Sequence, residues 1–207
     1  MLYLLTSLDK LTILKMSHID RKLRQKEAIK KSILIAAMHI AADEGWDNVT
    51  IRKIAEEIEY TPPIVYEHFE NKEDLINEII QTGYELLNKE VNKVLKSELE
   101  PIKALKKLSF IFWDFANKNK QLYSLMFRLE QSNPGAGRGL FIKIYNDLFK
   151  SLSSDNINLA NELYQSWISS LHGCIILLVL FPIPQELSKE SPKKLFEKVI
   201  DRFINSI

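Results

Sequence analysis

The stretch "TIRKIAEEIEYTPPIVYEHF", residues 50–69, predicts two short helices joined by a tight turn. In its first half, Ile51, Ile54, Ala55 and Ile58 recur at helical spacing and define one apolar face. A helix-turn-helix of this kind can place the start of its second helix against base edges in the major groove of DNA. The same pattern is also compatible with a helical hairpin in a bundle that contacts no nucleic acid.

Two adjacent prolines mark where the second helix begins. Proline suits the first turn of a helix, where its missing N–H would have had no partner, so Thr61-Pro62-Pro63 is predicted to be a cap and the first two helical positions. Because Pro63 has no N–H to donate, the Thr61 hydroxyl is expected to accept a hydrogen bond from the Ile64 N–H. Two apolar residues of this helix, spaced four apart, are expected to face the core: Val65 and Phe69.

Helical periodicity continues through most of the chain, and no segment shows sustained alternation of apolar and polar residues. The sequence therefore predicts an all-α fold. Helices are expected over 23–42, after residue 71, from Pro101 onward, and near 120–131, 139–152, 156–181 and 192–206. The predicted organisation has three parts: a poorly ordered N-terminal extension (1–20), a three-helix domain with the helix-turn-helix (21–70) and a larger helical domain (71–207).

Composition limits the kinds of protein and site that the chain can represent. Its 207 residues, 46% of them apolar, can bury a substantial core, and a net charge of +1 neither requires nor excludes a polyanionic partner. The single cysteine, Cys174, allows no internal disulfide and no cysteine-based metal cluster, and it fits a reducing cytoplasm. The longest apolar run, 174–181, is far shorter than the ~20 residues that cross a bilayer, so no membrane partner is expected.

Basic residues are concentrated before the helix-turn-helix, in a basic arm that we define as residues 15–31. Seven lysines and arginines lie there against two acidic residues, as phosphate contact with DNA requires, although a solvated helix face would show the same pattern. The helix-turn-helix itself is acidic because of the glutamates at positions 56, 57, 59, 67 and 70. Affinity for phosphate is therefore expected to depend on the basic arm and on three further residues: Arg52, Lys53 and Lys72.

A longer stretch resembles a known family. "TIRKIAEEIEYTPPIVYEHFENKEDLI", residues 50–76, and the preceding "ILIAAMHIAADEGWDNV" are similar to the N-terminal domain of the tetracycline-repressor (TetR) family of transcriptional regulators. The resemblance covers about residues 25–80. It implies a homodimer whose two helix-turn-helix units occupy successive major grooves of a palindromic double-stranded DNA operator. It also implies that a small-molecule effector, bound in the domain over 71–207, controls DNA binding.

The resemblance assigns DNA contacts to individual residues. Phosphates would be held by Thr50, Tyr66 and Lys72, and His68 would lie close to the backbone. Bases would be faced by Arg52 and by the start of the second helix, Thr61, Pro62, Pro63 and Ile64. Two features depart from the family: Glu59 replaces a frequent turn glycine, which implies backbone strain, and the two prolines offer no hydrogen bond to a base. Readout is therefore expected to rely on thymine methyl groups and DNA shape.

The C-terminal stretch "SWISSLHGCIILLVL", residues 166–180, resembles the Trp…His-Gly signature of one subgroup of this family through Trp167, His172 and Gly173. Glycine inside a helix costs roughly 1 kcal/mol relative to alanine, so we expect Gly173 to pack closely against another helix. His172 is interpreted either as a group that binds polar atoms of an effector or as a buried, hydrogen-bonded core residue. His39 and His68 are predicted to be isolated, and neither a metal nor a cofactor is expected.

An aromatic-rich middle of the chain predicts an apolar effector cavity, although the same residues could simply form the core. The candidate effector-binding residues are Phe110, Trp113, Tyr123, Met126, Phe127, Phe141, Tyr145, Trp167 and His172. The two C-terminal helices, 156–181 and 192–206, are expected to pair with their symmetry mates and form the homodimer.

Three functions compete at this level. The leading hypothesis is a cytoplasmic DNA-binding repressor that an apolar or aromatic effector releases from its operator. A helical enzyme is disfavoured because the sequence offers no nucleophile–base pair, no paired carboxylates and no metal-ligand spacing. A dimeric ligand-binding or scaffold protein with a degenerate DNA-binding domain is the alternative, because Glu59 and the acidic residues around it weaken the case for DNA binding.

Overall fold

The computed structural model describes residues 7–98, 100–127, 137–181 and 190–207, and all regular structure within these ranges is helical. The helices are α1 (Ser7–Glu44), α2 (Ile51–Glu57), α3 (Pro62–Tyr66), α4 (Lys72–Ser97), α5 (Pro101–Lys118), α6 (Lys120–Met126), α7 (Arg138–Ile144), α8 (Lys150–Leu152), α9 (Ile157–Ile175) and α10 (Pro192–Ile204). A 3-10 helix, Trp46–Asn48, precedes α2. Two π-helical segments continue longer helices: Tyr145–Phe149 joins α7 to α8, and Ile176–Leu180 extends α9. The predicted all-α fold is confirmed.

The chain divides into two compact units, Met1–Leu75 and Ile76–Ile207. The domain boundary predicted from the sequence, between residues 70 and 71, lies five residues before the boundary between these units and precedes α4. The boundary between the units instead falls in the first turn of that helix. An N-terminal helix-turn-helix unit followed by a larger helical unit is the arrangement that the sequence predicted.

The first helix is longer than the periodicity of residues 23–42 predicted. Residues 7–20 belong to α1, where the sequence predicted a poorly ordered extension, and residues 1–6 lie outside the described part of the chain. The physical reason is that no glycine or proline occurs between Ser7 and Glu44, so nothing in this segment interrupts a helix. Gly45, with φ 84°, follows the last residue of the helix and ends it.

The helices of the first unit share one apolar core. Its buried side chains come from all three helices and from the segment after α3, and they include Ile33, Ala37, Ile54, Ala55, Val65 and Phe69. Val65 and Phe69 thus face the core as predicted. Full burial of a side chain such as Ile54 stabilises the fold by roughly 1.5–3 kcal/mol. The small side chain of Ala55 lets α3 cross α2 closely, which positions the helix-turn-helix.

The second unit has a larger core built by α5, α9 and α10, which pack on one another. Its completely buried side chains include Leu87, Leu105, Phe112, Trp167 and Ile200. The proline starts are confirmed, because Pro101 opens α5 and Pro192 opens α10 behind a Ser191 cap. The helix predicted over 120–131 is α6, which ends at Met126, and residues 128–131 lie outside the described ranges.

One helix of this unit exposes much apolar surface. The helix Ile157–Leu180 comprises α9 and its π-helical continuation, and its length and apolar composition are those of a helix that could cross a membrane. Only 22% of its most apolar 18-residue stretch is buried inside the chain. Three of its residues nevertheless lie in the core of the unit: Trp167, Leu171 and Ile175. The helix therefore has one face in the core and a second apolar face exposed.

Candidate DNA-binding face and effector site

The turn between α2 and α3 closes with the two hydrogen bonds of a Schellman motif. The Tyr60 N–H donates to the Ala55 carbonyl at 2.9 Å, and the Glu59 N–H donates to the Glu56 carbonyl at 3.1 Å. Glu59 has φ 58°, in the left-handed region that favours glycine, so the backbone strain predicted for this residue is present. This turn sets the direction in which α3 leaves α2.

The start of α3 is exposed, and its first turn is closed by the backbone. The Ile64 N–H donates to the Thr61 carbonyl at 3.0 Å, while the Thr61 hydroxyl makes no capping hydrogen bond. The prediction that this hydroxyl caps Ile64 is therefore wrong, because the backbone already satisfies that N–H. Thr61, Pro62 and Pro63 are all exposed.

The three residues assigned to phosphates lie at helix starts and on α3. Thr50 caps α2 by accepting a hydrogen bond from the Lys53 N–H at 3.2 Å. Tyr66 is 54% exposed, with its ring outside the core as predicted. Lys72 Nζ donates to the Trp46 carbonyl at 3.4 Å, which uses one of the three N–H donors of the ammonium group. Each of the three side chains can therefore still bind a phosphate oxygen.

His68 lies among basic residues of α1. Partial burial and the charges of Lys26 and Lys30 lower the pKa of His68, which Glu67 partly offsets. Lys30 also stands over the ring of Phe69, with Nζ 5.7 Å from the ring centroid. Lys26 and Lys30 of the basic arm therefore lie near His68 and Phe69, the residues just after α3. The resemblance places the DNA backbone close to His68.

Both cationic candidates on α2 are paired with carboxylates. Arg52 Nε donates to Glu56 at 2.8 Å, and this hydrogen bond, reinforced by the charge of Glu56, raises the pKa of Arg52. Lys53 Nζ forms an ion pair with Glu44 of α1. The terminal nitrogens of Arg52 make no hydrogen bond within the described ranges, so Arg52 can contact DNA while it holds Glu56. Lys53 would first have to leave Glu44.

The structure corrects the prediction that His39 is isolated. Its Nδ1 lies 2.8 Å from a Glu57 oxygen, and its Nε2 lies 3.7 Å from Asp43. The hydrogen bond to Glu57 and the charges of both carboxylates raise the pKa of His39. Each carboxylate contacts a different ring nitrogen, so the two carboxylates fix the orientation of the imidazole. The three groups do not converge on one point as the ligands of a metal ion would. Among the described residues, no group of three His, Cys, Asp or Glu could hold a metal.

Four predicted effector residues and Phe112 of α5 form an aromatic cluster, which we define as Phe112, Tyr123, Phe127, Phe141 and His172. The Tyr123 oxygen lies 2.5 Å from His172 Nδ1. The His172 ring centroid lies 4.3 Å from that of Phe127, 6.2 Å from that of Phe112 and 6.5 Å from that of Phe141. Burial lowers the pKa of His172 to about 4, so its imidazole is uncharged at neutral pH.

Three predicted effector residues lie in other surroundings. Trp113 stacks on Phe196 of α10 with centroids 4.5 Å apart, and Phe110 meets the same ring edge-on at 5.5 Å. Tyr145, at the start of the first π-helical segment, meets Tyr164 of α9 edge-on at 5.6 Å. These contacts place Phe110 and Trp113 at the junction of α5 with α10, where Trp113 is buried and Phe110 is half-buried.

The remaining two candidates support the aromatic cluster. Trp167 meets Phe112 edge-on at 5.9 Å, and its Nε1 donates to the Ser109 hydroxyl at 2.9 Å. Ser109 in turn donates to the Leu105 carbonyl at 2.9 Å, so the buried polar groups here are satisfied. Met126 is completely buried next to the cluster at the end of α6.

Tyr84 of α4 is a neighbour of the cluster that the sequence pattern did not reveal. Its ring meets those of Phe127 and Phe141 at 5.9 and 6.3 Å, and its hydroxyl donates to the Met126 carbonyl at 3.0 Å. A Cβ at Gly83 would lie 2.6 Å from Met126 Sδ, so α4 and α6 approach closely. The available signal was Gly83 itself, a glycine inside a regular helix and beside an aromatic residue.

The exposed face of α9 and its continuation contains Gly173. Apart from its chain neighbours and the backbone of its own helix, no atom lies within 4 Å of a Cβ built at Gly173, so the predicted close packing against another helix is absent among the described residues. Cys174 is half-buried, and burial raises the pKa of its thiol, which makes it a poor nucleophile. Nearby apolar side chains are exposed by 38%, 53% and 72%: Ile176, Leu177 and Phe181.

Comparison with known proteins bears on both units. Residues 33–79 match the family model described as bacterial regulatory proteins, tetR family. The chain is similar to the HTH-type transcriptional activator FasR of Mycolicibacterium smegmatis, with 27% identity over 95 residues. That similarity covers 46% of this chain and 43% of the relative, so less than half the length of FasR is matched.

Two solved structures extend the similarity over most of the chain. The fatty acid degradation regulator FadR from Bacillus halodurans has a TM-score of 0.68 and 16% identity, and the match covers 85% of this chain and 94% of FadR. RolR in complex with resorcinol has a TM-score of 0.57 and 17% identity, over 87% of this chain and 89% of RolR. At these identities the likeness establishes a shared fold.

Proposed function

We propose that the chain is a TetR-family repressor that binds a palindromic operator as a homodimer and is released by a small-molecule effector, and the match of residues 33–79 to the tetR family model supports its DNA-binding part. The observation that carries the proposal is the exposed start of α3, where Thr61, Pro62 and Pro63 follow a Schellman turn. The start of the second helix is the part of a helix-turn-helix that contacts bases. A cytoplasmic location and the absence of enzymatic activity are part of the proposal.

Base readout would come from three kinds of contact. The Thr61 hydroxyl, which caps nothing in the chain, can donate to or accept from a base edge. The rings of Pro62 and Pro63 present apolar surface that fits the thymine methyl group. Arg52 can use its terminal nitrogens on a guanine while Nε stays on Glu56. Because two of these residues cannot donate a hydrogen bond, we expect DNA shape to contribute to specificity.

Phosphate binding would depend on groups around the helix-turn-helix. Thr50, Tyr66 and Lys72 supply two hydroxyls and an ammonium group, and His68 with the basic arm supplies further contacts. Such contacts release counterions, so affinity should fall steeply with salt concentration.

Carboxylates paired with the two cations of α2 favour one competing function. Glu56 holds Arg52 and Glu44 holds Lys53, so part of the positive charge on this face is already neutralised. This observation favours the second candidate, a dimeric ligand-binding or scaffold protein whose DNA-binding domain is degenerate.

The homodimer would form through α9 and α10. The exposed apolar side chains Ile176, Leu177 and Phe181, and the open space beside Gly173, support an interface on the exposed face of α9 and its continuation. A helix from a second copy could approach the backbone at Gly173 closely, which would give the glycine a packing role between protomers. The same interface would explain why so apolar a helix is so little buried within one chain.

Effector binding would occur at the aromatic cluster. The resorcinol complex of RolR supports a small aromatic molecule as the effector. Tyr84 contacts the cluster from α4, and α4 begins within the DNA-binding unit, so a ligand that moves Phe127 or Phe141 would act on this helix. The effector can change the equilibrium between the DNA-binding conformation and the released conformation only by as much free energy as its affinities for the two conformations differ.

Selection from a random duplex library with the purified full chain tests the proposal. We expect recovery of a palindrome, and an affinity for it that falls steeply between low and physiological salt. A matched variant in which Pro62 and Pro63 are both alanine should change discrimination at individual operator positions. Absence of enrichment at low salt by a folded dimer would instead support the scaffold candidate.

A further inference from the structure

The hydrogen bond between Tyr123 and His172 determines which imidazole nitrogen carries the proton. The Tyr123 side chain is completely buried, and His172 Nδ1 is the one partner of its hydroxyl among the described residues. A buried hydroxyl without an acceptor would cost about 1–3 kcal/mol. The hydroxyl must therefore donate to Nδ1, which can accept only when it is unprotonated. In an uncharged imidazole the proton then resides on Nε2.

The Nε2–H of His172 has no acceptor within the described part of the chain. The His172 side chain is only half-buried, so the ring is partly open to a ligand. The ring therefore presents one unused hydrogen-bond donor next to the aromatic faces of Phe112, Phe127 and Phe141.

This arrangement discriminates between classes of ligand. An N–H donor attracts the oxygen of a carbonyl, ester, amide or ether and repels a cation. An uncharged imidazole gives a carboxylate no opposite charge, so desolvation of the carboxylate would be poorly compensated. The surrounding rings favour apolar or aromatic surface on the rest of the ligand.

We propose that His172 is the polar recognition group of the effector site, that Tyr123 acts as its positioning residue by fixing the Nε2–H tautomer, and that the site selects uncharged apolar or aromatic molecules carrying one hydrogen-bond acceptor. This inference rests on the proposed effector-binding function and names the ligand class of that site.

The first test measures the tautomer in the full-length protein without ligand or DNA. Nitrogen-15 NMR of histidine-labelled protein, with the His172 signal assigned from a His172→Gln variant, should show an Nε2–H imidazole that does not titrate between pH 5 and 8. The Tyr123→Phe variant should show a mixture of tautomers. An Nδ1–H form, or titration at an ordinary histidine pKa, would overturn the proposal.

The second test measures selectivity with three probes of similar size: acetophenone, ethylbenzene and benzoate. We expect acetophenone to bind about tenfold more tightly than ethylbenzene, which corresponds to one net hydrogen bond, and more tightly than benzoate. The preference should disappear in His172→Phe, persist in part in His172→Gln, whose amide can donate, and decrease in Tyr123→Phe. Equal binding of the three probes, or no binding of any at millimolar concentration, would overturn the ligand class.

Both tests are independent of DNA binding, so a failure of this ligand inference can be distinguished from a failure of the proposed repressor function. A protein that binds its operator and releases it with some effector, but shows the wrong tautomer, would contradict this inference alone. A protein with the expected tautomer and selectivity that binds no DNA would contradict the repressor function and leave the ligand site established.

Discussion

In the DNA-binding unit most side chains with a proposed function are exposed, whereas in the larger unit they are half-buried or buried. Thr61, Tyr66 and Arg52 are exposed, and the hydrogen bond of Arg52 is to Glu56 of the same helix. Tyr123 and His172 are held in the interior by a hydrogen bond that joins α6 to α9. A change in the first group should alter affinity for DNA and leave stability intact. A change in the second should alter both effector binding and stability.

The largest expected effect is on the buried side. Phe112→Ala removes a completely buried ring that contacts Trp167, Phe141 and His172, and it should lower the free energy of unfolding by about 3–5 kcal/mol. Tyr66→Ala, the matched exposed aromatic, should change that free energy by about 0.5 kcal/mol or less while it weakens operator binding. Urea denaturation of both variants checks the contrast, and equal losses of stability would contradict it.

Titration of His172 should give the next largest effect. Its pKa is lowered from the ordinary 6.5 to about 4 by burial, so the unfolded chain binds this proton more readily than the folded one. Stability therefore falls as pH decreases through this window, by about 2 kcal/mol between pH 7.5 and 5. The His172→Gln variant, which cannot titrate, should lose less stability over the same range. A parallel pH dependence of the two proteins would show that His172 is not buried as described.

The same contrast explains what could be predicted from the sequence. The helix-turn-helix, the proline starts of α3, α5 and α10, and the strained residue Glu59 depend on residues within a few positions of one another. The Thr61 cap failed even at this short range, because a backbone carbonyl competed with the hydroxyl for the Ile64 N–H.

The effector site depends on contacts that local patterns do not encode. Tyr123 and His172 are 49 residues apart, and Trp167 and Ser109 are 58 apart. The aromatic-rich segment contributes residues both to the aromatic cluster and to the rest of the core. The neighbours Phe112 and Trp113 differ only in how α5 packs, because Phe112 faces His172 and Trp113 faces Phe196. Tyr84 escaped prediction because it lies on a different helix, far earlier in the chain.

A substitution in the turn between α2 and α3 should have a smaller effect on stability, and of the opposite sign. Glu59→Gly relieves the left-handed strain at φ 58° and should raise the free energy of unfolding by about 1 kcal/mol. Glu59→Gln removes the charge and keeps the Cβ, so it should not reproduce this gain. Thermal and urea denaturation of both variants separates strain from charge. A glycine variant no more stable than the glutamine variant would contradict the account of the turn.

The smallest effect concerns the exposed histidine, His39, and it should have the opposite pH dependence to His172. The hydrogen bond to Glu57 and the charges of Asp43 and Glu57 raise the pKa of His39. Its contribution to stability is therefore fully present below the unfolded pKa and is lost as pH rises through the folded pKa. Because the group is exposed, the contribution should also decrease in high salt, as it does for surface ion pairs. Comparison of the wild type with His39→Gln at pH 6 and pH 8.5 should show a difference in stability only at the lower pH. A difference that persists at pH 8.5 would mean that the imidazole holds α1 to α2 through a hydrogen bond that does not require charge.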